Sequence, residues 1–168
     1  MDAFQMIDKN SNGYITSSEL IDSLSELGSY AHTEDVSLFV RRYDRDSDGR
    51  IKYSEFCAAF TPKSTHYSST LNLRKAYYIH ANYRKSEFFT RGTRDLYLRT
   101  FKVHFSCEEA AENMRKRLAR RPGFSVHDAF QAIDTDKNGY ITRDEFRGIL
   151  KEYGFYPTSE EVSWLVDR

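Results

Sequence analysis

Three twelve-residue segments place oxygen-bearing side chains at one fixed spacing. In each, Asp stands first, Asp or Asn stands third and fifth, Gly stands sixth and Glu stands twelfth. The segments are Asp8–Glu19, Asp44–Glu55 and Asp134–Glu145. A hard cation such as Ca²⁺ takes about six to eight oxygen ligands, and the glycine permits a sharp turn that a Cβ would obstruct. The spacing therefore predicts three metal-binding loops, numbered 1 to 3 in chain order.

These loops fit the pattern D-x-[DN]-x-[DN]-G-x₅-E and resemble the EF-hand family, whose best-known member is calmodulin. The resemblance implies Ca²⁺ as the bound ion, with Mg²⁺ as an alternative at resting calcium levels. It also implies that the seventh residue binds through its backbone carbonyl, and that Ile15 and Ile51 form a short β-bridge between paired loops. The implied ligands are Asp8, Asn10, Asn12, Tyr14, Thr16 and Glu19 in loop 1; Asp44, Asp46, Asp48, Arg50 (carbonyl) and Glu55 in loop 2; and Asp134, Asp136, Asn138, Tyr140, Thr142 and Glu145 in loop 3.

The three loops differ in charge. Among the implied ligands, loop 2 has four carboxylates, loop 3 has three and loop 1 has two. Because affinity is tuned partly by ligand charge, loop 1 is predicted to be the weakest site. Loop 2 carries Lys52 at position 9, which offers no acceptor and adds positive charge. Thr16 and Thr142 hold the same position in the other loops, where a hydroxyl can order a bridging water.

A long repeat contains the loops. Residues 2–42 return as 128–168 at a constant offset of 126, with 21 of the 41 aligned pairs identical. A fixed period is typical of arrayed units. Each loop with its two flanking helices is one EF-hand, called a hand below. The second copy stops partway through its pair of hands, so we expect the chain to be a segment of a longer array.

Apolar residues at helical spacing flank each loop, and a lone hand would leave them in water. Hands are therefore expected to pair around a shared core. The predicted fold is all-α, with EF-hand lobes, short β-bridges between paired loops and a helical linker. Residues 1–62 should form hands 1 and 2, residues 63–124 a basic aromatic linker, and residues 125–168 hand 3 with the first helix of an incomplete hand 4. The unpaired hand 3 predicts dimerisation through that second lobe.

The linker is both basic and aromatic. Residues 61–127 contain 14 Lys and Arg against five Asp and Glu, whereas the flanking segments are acidic. Ten aromatic residues make an ordered segment more plausible than a disordered one. One helix is predicted over 93–104, with Leu96, Tyr97, Phe101 and Phe105 as its buried stripe. A second is predicted to start at a capping box of Ser106 and Glu109, and residues 71–83 are a weaker third candidate.

Three interpretations of the linker remain open. It could lie in the groove of its own acidic lobe, because basic amphipathic helices are typical targets of open calcium lobes. Its cations could instead face an acidic partner, such as a tubulin or axonemal surface, an anionic membrane or, less favoured, nucleic acid. Alternatively, the aromatics pack onto the lobes and the basic side chains stay solvated.

The sequence lacks catalytic motifs such as a nucleophile elbow, a phosphate loop or HExxH, so no enzyme is predicted. The favoured function is a calcium-binding structural or regulatory protein built from tandem EF-hand pairs, attached to a cytoskeletal or ciliary assembly. The alternative is a soluble calmodulin-like sensor that binds target helices, although three methionines are few for a promiscuous groove. Two cysteines without disulfide spacing and no long apolar run predict a cytoplasmic location, including the cytoskeleton or cilium.

Overall fold

The computed structural model describes residues 2–74 and 89–166. Apart from one pair of two-residue strands, its regular elements are helices, so the predicted all-α class is confirmed. The predicted helix over 71–83 lies largely outside the described residues. The elements are α1 Asp2–Ile7, β1 Tyr14–Ile15, α2 Ser17–Glu26, α3 Thr33–Tyr43, β2 Ile51–Lys52, α4 Tyr53–Phe60, α5 Thr65–Asn72, α6 Arg91–Ala119, α7 Val126–Ile133, α8 Arg143–Glu152 and α9 Ser159–Val166.

The chain forms two compact units, Met1–Met114 and Arg115–Arg168. In the first unit, hands 1 and 2 are joined by the antiparallel pair β1 and β2, with Ile15 opposite Ile51. This is the β-bridge expected at position 8 of paired loops. Both isoleucines are buried, so the bridge also ties the two loops to the core.

The helices that leave loops 1 and 3 begin at capping boxes. Thr16 caps α2, where its hydroxyl accepts from the Glu19 amide and the Glu19 carboxylate accepts from the Thr16 amide. Thr142 and Glu145 repeat this arrangement at α8. Such reciprocal bonds satisfy amides that a helix start leaves unpaired. In loops 1 and 3, the last predicted ligand is therefore also the residue that fixes the start of the exit helix.

The core of the first unit combines both hands with the linker helix. Its buried apolar side chains come from α1 to α4, from both strands and from α6. The contribution of α6 is Phe101 and Phe105, of which 1% and 8% of the surface is exposed. Burying a phenylalanine side chain contributes about 1.5–3 kcal/mol. The lobe core is thus completed by a helix distant in sequence.

Helix α6 corrects the prediction of two separate linker helices. It runs without a break from Arg91 to Ala119, and Ser106 lies in its interior. The Ser106 hydroxyl donates to the Lys102 carbonyl at 2.9 Å instead of capping a helix start. The capping-box pattern was misleading because residues 93–121 contain neither Gly nor Pro. Helix propagation is therefore cheaper than a new nucleus.

The predicted apolar stripe of this helix is also partly wrong. Tyr97, Phe101 and Phe105 pack into the lobe as expected. Leu96, by contrast, is 68% exposed. Side chains four residues apart share a helix face, whereas Leu96 lies five residues before Phe101 and is rotated away from it.

The second unit is less fully buried than the first. In the described part of residues 115–166, Val162 is the one apolar side chain in the buried class. Phe146, Ile149 and Leu150 of α8 are half-buried. The Thr158 hydroxyl and amide donate to the Glu161 carboxylate at 2.9 and 2.8 Å, and the Glu161 amide donates back to the Thr158 hydroxyl, so a capping box opens α9. A single hand with one following helix cannot enclose its apolar faces as a pair does.

None of the helices in the described ranges 2–74 and 89–166 combines the length and apolar character needed to cross a bilayer.

The continuity of α6 can be tested by Ser106→Pro. Proline inside a helix removes a hydrogen bond and clashes with the preceding turn, at a cost of about 3 kcal/mol or more, so the free energy of unfolding should fall by at least that amount in urea titrations. Arg91→Pro is the matched control, because the first residue of a helix tolerates proline. A Ser106→Pro protein as stable as Arg91→Pro would show that a new helix begins at Ser106.

Candidate metal centres

The first Asp of each loop organises the backbone of the turn. The Asp8 carboxylate accepts hydrogen bonds from the amides of Asn12 and Gly13 at 3.1 and 2.9 Å. Asp44 and Asp134 accept from the equivalent amides at 2.8 to 3.1 Å. The side chain at position 5 likewise accepts from the amide at position 7, at 2.8 to 2.9 Å in all three loops. These bonds hold the predicted ligand oxygens inside the turn.

Two positions in each loop adopt left-handed backbone conformations. The glycine at position 6 has φ of +86°, +79° and +85° in loops 1, 2 and 3, as its role in the sequence pattern predicts. Position 4 also lies in this region, with φ of 55° to 60° at Ser11, Ser47 and Lys137. Such a conformation costs a non-glycine residue on the order of 1 kcal/mol. The conformation at position 4 could not be predicted from the sequence, because no particular side-chain type occupies that position.

The Glu at position 12 links the loop ends. In loop 2, Glu55 is 2% exposed and accepts from the amides of Arg45 at 2.8 Å and Lys52 at 3.0 Å. In loop 3, Glu145 accepts from the corresponding amides of Thr135 and Thr142, both at 2.9 Å, and from both threonine hydroxyls. The hydrogen bond from position 2 to the Glu was not predicted. It comes from the backbone amide, which Arg45 and Thr135 share, so no side-chain type indicates it.

Loop 1 contains a buried carboxylate oxygen that suits a cation. Glu19 is 9% exposed, its Oε2 accepts from Thr16, and its Oε1 is buried without a hydrogen-bond partner among the described residues. Burial raises the pKa of this carboxyl, but the hydrogen bonds from Thr16, together with the nearby backbone amides of Asn10 and Lys9, outweigh it and the pKa is lowered overall. An ionised, buried and unpaired oxygen is costly unless a cation binds it.

Loops 2 and 3 each bring three carboxylates together. Asp44, Asp46 and Asp48 each offer an oxygen within 4.8 Å of the others, and so do Asp134, Asp136 and Glu145. In loop 1, Asn10 and Asn12 supply amides at the third and fifth positions, so fewer charges are available there. The donor set of all three loops, hard oxygens with several carboxylates, fits Ca²⁺ and also accommodates Mg²⁺.

The position 7 side chain of loop 2, Arg50, contacts both paired loops. Its Nε lies 3.8 Å from Oδ2 of Asp48, a predicted ligand of the same loop. The Arg50 guanidinium lies over the Tyr14 ring, 4.6 Å from its centroid, which is a cation–π contact. Tyr140, the same position in loop 3, is 77% exposed. Ligation at this position, if made through the carbonyl as predicted, does not require the side chain.

Lys52 in loop 2 contacts one of the predicted ligands. Its ammonium donates to Asp46 Oδ2. This hydrogen bond raises the pKa of Lys52 and lowers the pKa of Asp46. The other predicted loop 2 carboxylates, Asp44, Asp48 and Glu55, accept backbone amides as their counterparts do. Loop 2 therefore contains two cations that pair with its own predicted ligands, Lys52 with Asp46 and Arg50 with Asp48.

Comparison with known families agrees with this geometry. An EF-hand domain pair matches residues 1–61 and an EF-hand domain matches residues 125–154, together more than half of the chain. The chain belongs to the EF-hand calcium-binding family, and Ca²⁺ is its ion.

Individual relatives point to the same class. Calmodulin-like protein 3 of Arabidopsis thaliana is 25% identical over 90% of this chain and 90% of its own length. Calmodulin-like protein 5 of the same plant is 43% identical over 32% of this chain and 25% of its own length. Calcium-dependent protein kinase 7 of Arabidopsis thaliana is 29% identical over 89% of this chain, yet the chain spans a quarter of the kinase. The chain is thus a calmodulin-like calcium-binding protein.

Removing one carboxylate tests the ligand assignment in loop 2. Glu55→Gln loses one of the two oxygens that a bidentate ligand supplies, so loop 2 should bind Ca²⁺ at least tenfold more weakly, roughly the effect of one lost charged interaction of 1.4 kcal/mol or more. Calorimetry of the wild type and the variant measures the change. Ser54→Ala, the neighbouring exposed residue, is the control. Unchanged affinity and stoichiometry in Glu55→Gln would show that Glu55 is not a ligand.

The Glu145 carboxyl offers a pH test without calcium. Hydrogen bonds from the Thr142 amide and hydroxyl and the Thr135 hydroxyl lower its pKa from 4.5 to about 2. The folded pKa is depressed, so the stabilisation is present above pH 4.5 and is lost as the pH falls towards 2. Carbon-detected NMR should follow the Glu145 midpoint near 2, and Thr142→Ala should raise it. A midpoint near 4.5 in the wild type would contradict these hydrogen bonds.

Proposed function

We propose that this chain is a non-catalytic, calcium-responsive regulatory or structural protein whose first lobe is filled by its own helix α6. The observation that carries the proposal is the burial of Phe101 and Phe105 in the core of hands 1 and 2. Calcium lobes that recognise target helices take apolar anchors at this spacing into a groove. Here the anchors belong to the same chain.

The aromatic contacts of α6 reach both helices that flank loop 2. The Phe101 ring lies 5.5 Å from the Phe39 ring of α3 and 5.0 Å from the Phe60 ring of α4. Phe105 stands edge-on to Phe39 at 5.8 Å, and Tyr97 lies 5.3 Å from Phe60. Aromatic pairs at these separations contribute about 0.5–1.5 kcal/mol beyond their area. Both helices of hand 2 are thereby attached to α6.

Polar contacts accompany this aromatic packing. His104 lies 3.1 Å from the Tyr43 hydroxyl through Nδ1 and 3.1 Å from the Ala59 carbonyl through Nε2. Glu108 forms an ion pair with Arg42 at 3.5 Å. One helix turn of α6 thus satisfies groups on α3 and α4, which supports a specific docking rather than a general apolar contact.

Several described cations of the linker lie at the surface. Arg99 and Lys102 are exposed on α6, and so are Lys116, Arg120 and Arg121 at the end of the helix and just beyond it. The aromatic face of α6 lies in the lobe, and these five exposed cations are the ones through which an acidic surface would bind. We therefore extend the proposal to attachment, through these cations, to an acidic cytoskeletal or ciliary polymer such as a microtubule.

A target-binding sensor is the second candidate. It is supported by the names of the calmodulin-like relatives and by exposed apolar side chains in the second unit, where Phe155, Trp164 and Leu165 are 48% to 64% exposed. These residues could receive a target helix or a second copy of hand 3. Sedimentation at high concentration distinguishes a second copy from a target helix as the occupant of this surface. A reversible dimer favours pairing between copies, and a monomer that binds a basic amphipathic peptide favours the sensor.

The filled lobe is tested by Phe101→Ala. Truncating a buried phenylalanine costs about 3–5 kcal/mol, and an emptied groove should bind a hydrophobic dye and a labelled synthetic peptide of residues 91–119. The wild-type lobe should bind this peptide weakly, since α6 competes within the same molecule. Leu96→Ala on the exposed face of the same helix is the control and should behave as wild type. Equal peptide binding by wild type and Phe101→Ala would contradict the proposal.

Attachment to an acidic polymer is tested by charge reversal. The triple variant Lys116→Glu, Arg120→Glu and Arg121→Glu should lose co-sedimentation with microtubules, and wild-type binding should weaken with salt because it is electrostatic. Lys151→Glu, an exposed cation on α8, is the control. If the wild type fails to co-sediment at low salt, or the triple variant binds equally well, the cytoskeletal part of the proposal is wrong.

A further inference from the structure

Loop 2 uses its ninth position differently from the other two loops. In loops 1 and 3 this position is Thr16 or Thr142, whose hydroxyl donates to the Glu at position 12 at 2.7 Å. In loop 2 it is Lys52, whose ammonium donates to Asp46 at position 3. The contact joins the ninth residue of the loop to the third, which is one of its predicted ligands.

The partner of Lys52 is also bonded differently from its counterparts. At position 3 of loops 1 and 3, Asn10 and Asp136 each accept from the backbone amide at position 5, at 3.0 and 3.1 Å. These bonds keep the side-chain oxygen within the turn. Asp46 instead holds the lysine ammonium, so its carboxylate is already engaged by a positive charge.

The surrounding charges give this ion pair a physical role. Asp46 has oxygens within 4.8 Å of those of Asp44 and Asp48, and three carboxylates at that separation repel one another. An ammonium bound to one of them reduces the repulsion in the absence of metal. The Arg50 guanidinium, 3.8 Å from Asp48 Oδ2, adds to this effect at a longer distance. The side chains of Lys52 and Asp46 are 37% and 47% exposed, so solvent weakens the pair and limits its effect on an equilibrium to roughly fivefold.

We propose that Lys52 is an internal counter-ion of loop 2, which Ca²⁺ must displace from Asp46 in order to bind. The loop with the most carboxylates then binds more weakly than its carboxylate count implies, and ranking the loops by that count alone is insufficient. The same contact stabilises the metal-free loop. Lys52 thus raises the stability of the metal-free loop and lowers its affinity for Ca²⁺, so the two effects have opposite signs.

This opposition of signs makes Lys52→Met a sharp test. The variant removes the charge while keeping an unbranched side chain. The affinity of loop 2 for Ca²⁺ should rise by roughly three- to fivefold, and the melting temperature of the metal-free protein should fall. A residue with only a packing role would lower both. The Gly49 amide, followed by NMR during calcium titration, reports loop 2 separately from Gly13 in loop 1 and Gly139 in loop 3.

Two further variants complete the experiment. Lys9→Met removes a cation from loop 1 that pairs with Asp22 and Glu26 of α2, outside the predicted ligand set, so it should leave the Gly49 titration unchanged. Lys52→Arg keeps the charge and should retain the weak binding. An unchanged or weaker loop 2 in Lys52→Met, or a metal-free melting temperature that does not fall, would overturn the proposal.

Discussion

The packing of Phe101 and Phe105 against α3 and α4 is the interaction on which the architecture of the first unit depends. It joins the linker helix α6 to a lobe whose last helix, α4, is separated from the start of α6 by thirty residues. Without it, Phe39 would lose two of its aromatic neighbours and the open side of hand 2 would be left without a cover. The lobe and the helix therefore form one core.

This shared core places loop 2 between the two helices that contact the linker helix α6. Loop 2 lies between α3 and α4, and these are the helices that hold α6 through rings, through His104 and through Glu108. Glu55, at the end of loop 2, is bonded to amides at both ends of the loop. A change in the loop geometry on ion binding would therefore alter the angle between the two helices that contact α6. The proposed counter-ion Lys52 lies in that same loop.

The loops could be predicted from sequence because their chemistry depends on residue type at fixed local spacing. Asp8, Gly13 and Glu19 stand where short-range geometry requires them, and the pairing of Ile15 with Ile51 follows from the same register. The continuity of α6 could not be predicted in this way. The Ser106 and Glu109 pattern is the same in a helix start and in a helix interior, and only packing of the flanking turns decides between them.

Composition left three interpretations of the linker open and could not choose between them. In the structure the lobe takes the aromatic face, as in the interpretation that packs the aromatics onto the lobes, and Arg99 and Lys102 are exposed. Burial of aromatic area contributes more than exposed ion pairs do. The contact of Lys52 with Asp46 could not be predicted from the sequence either. The sequence shows a positive charge at position 9 but does not show which carboxylate it pairs with.

Native-state hydrogen exchange measured by mass spectrometry tests the shared core most directly. If α6 is part of the lobe, the peptide covering 97–108 should exchange as slowly as the peptides of α3 and α4, and all three should lose protection together as denaturant is added. Fast exchange of 97–108 beside a protected α3 and α4 would contradict the account, because α6 would then not be held in the lobe.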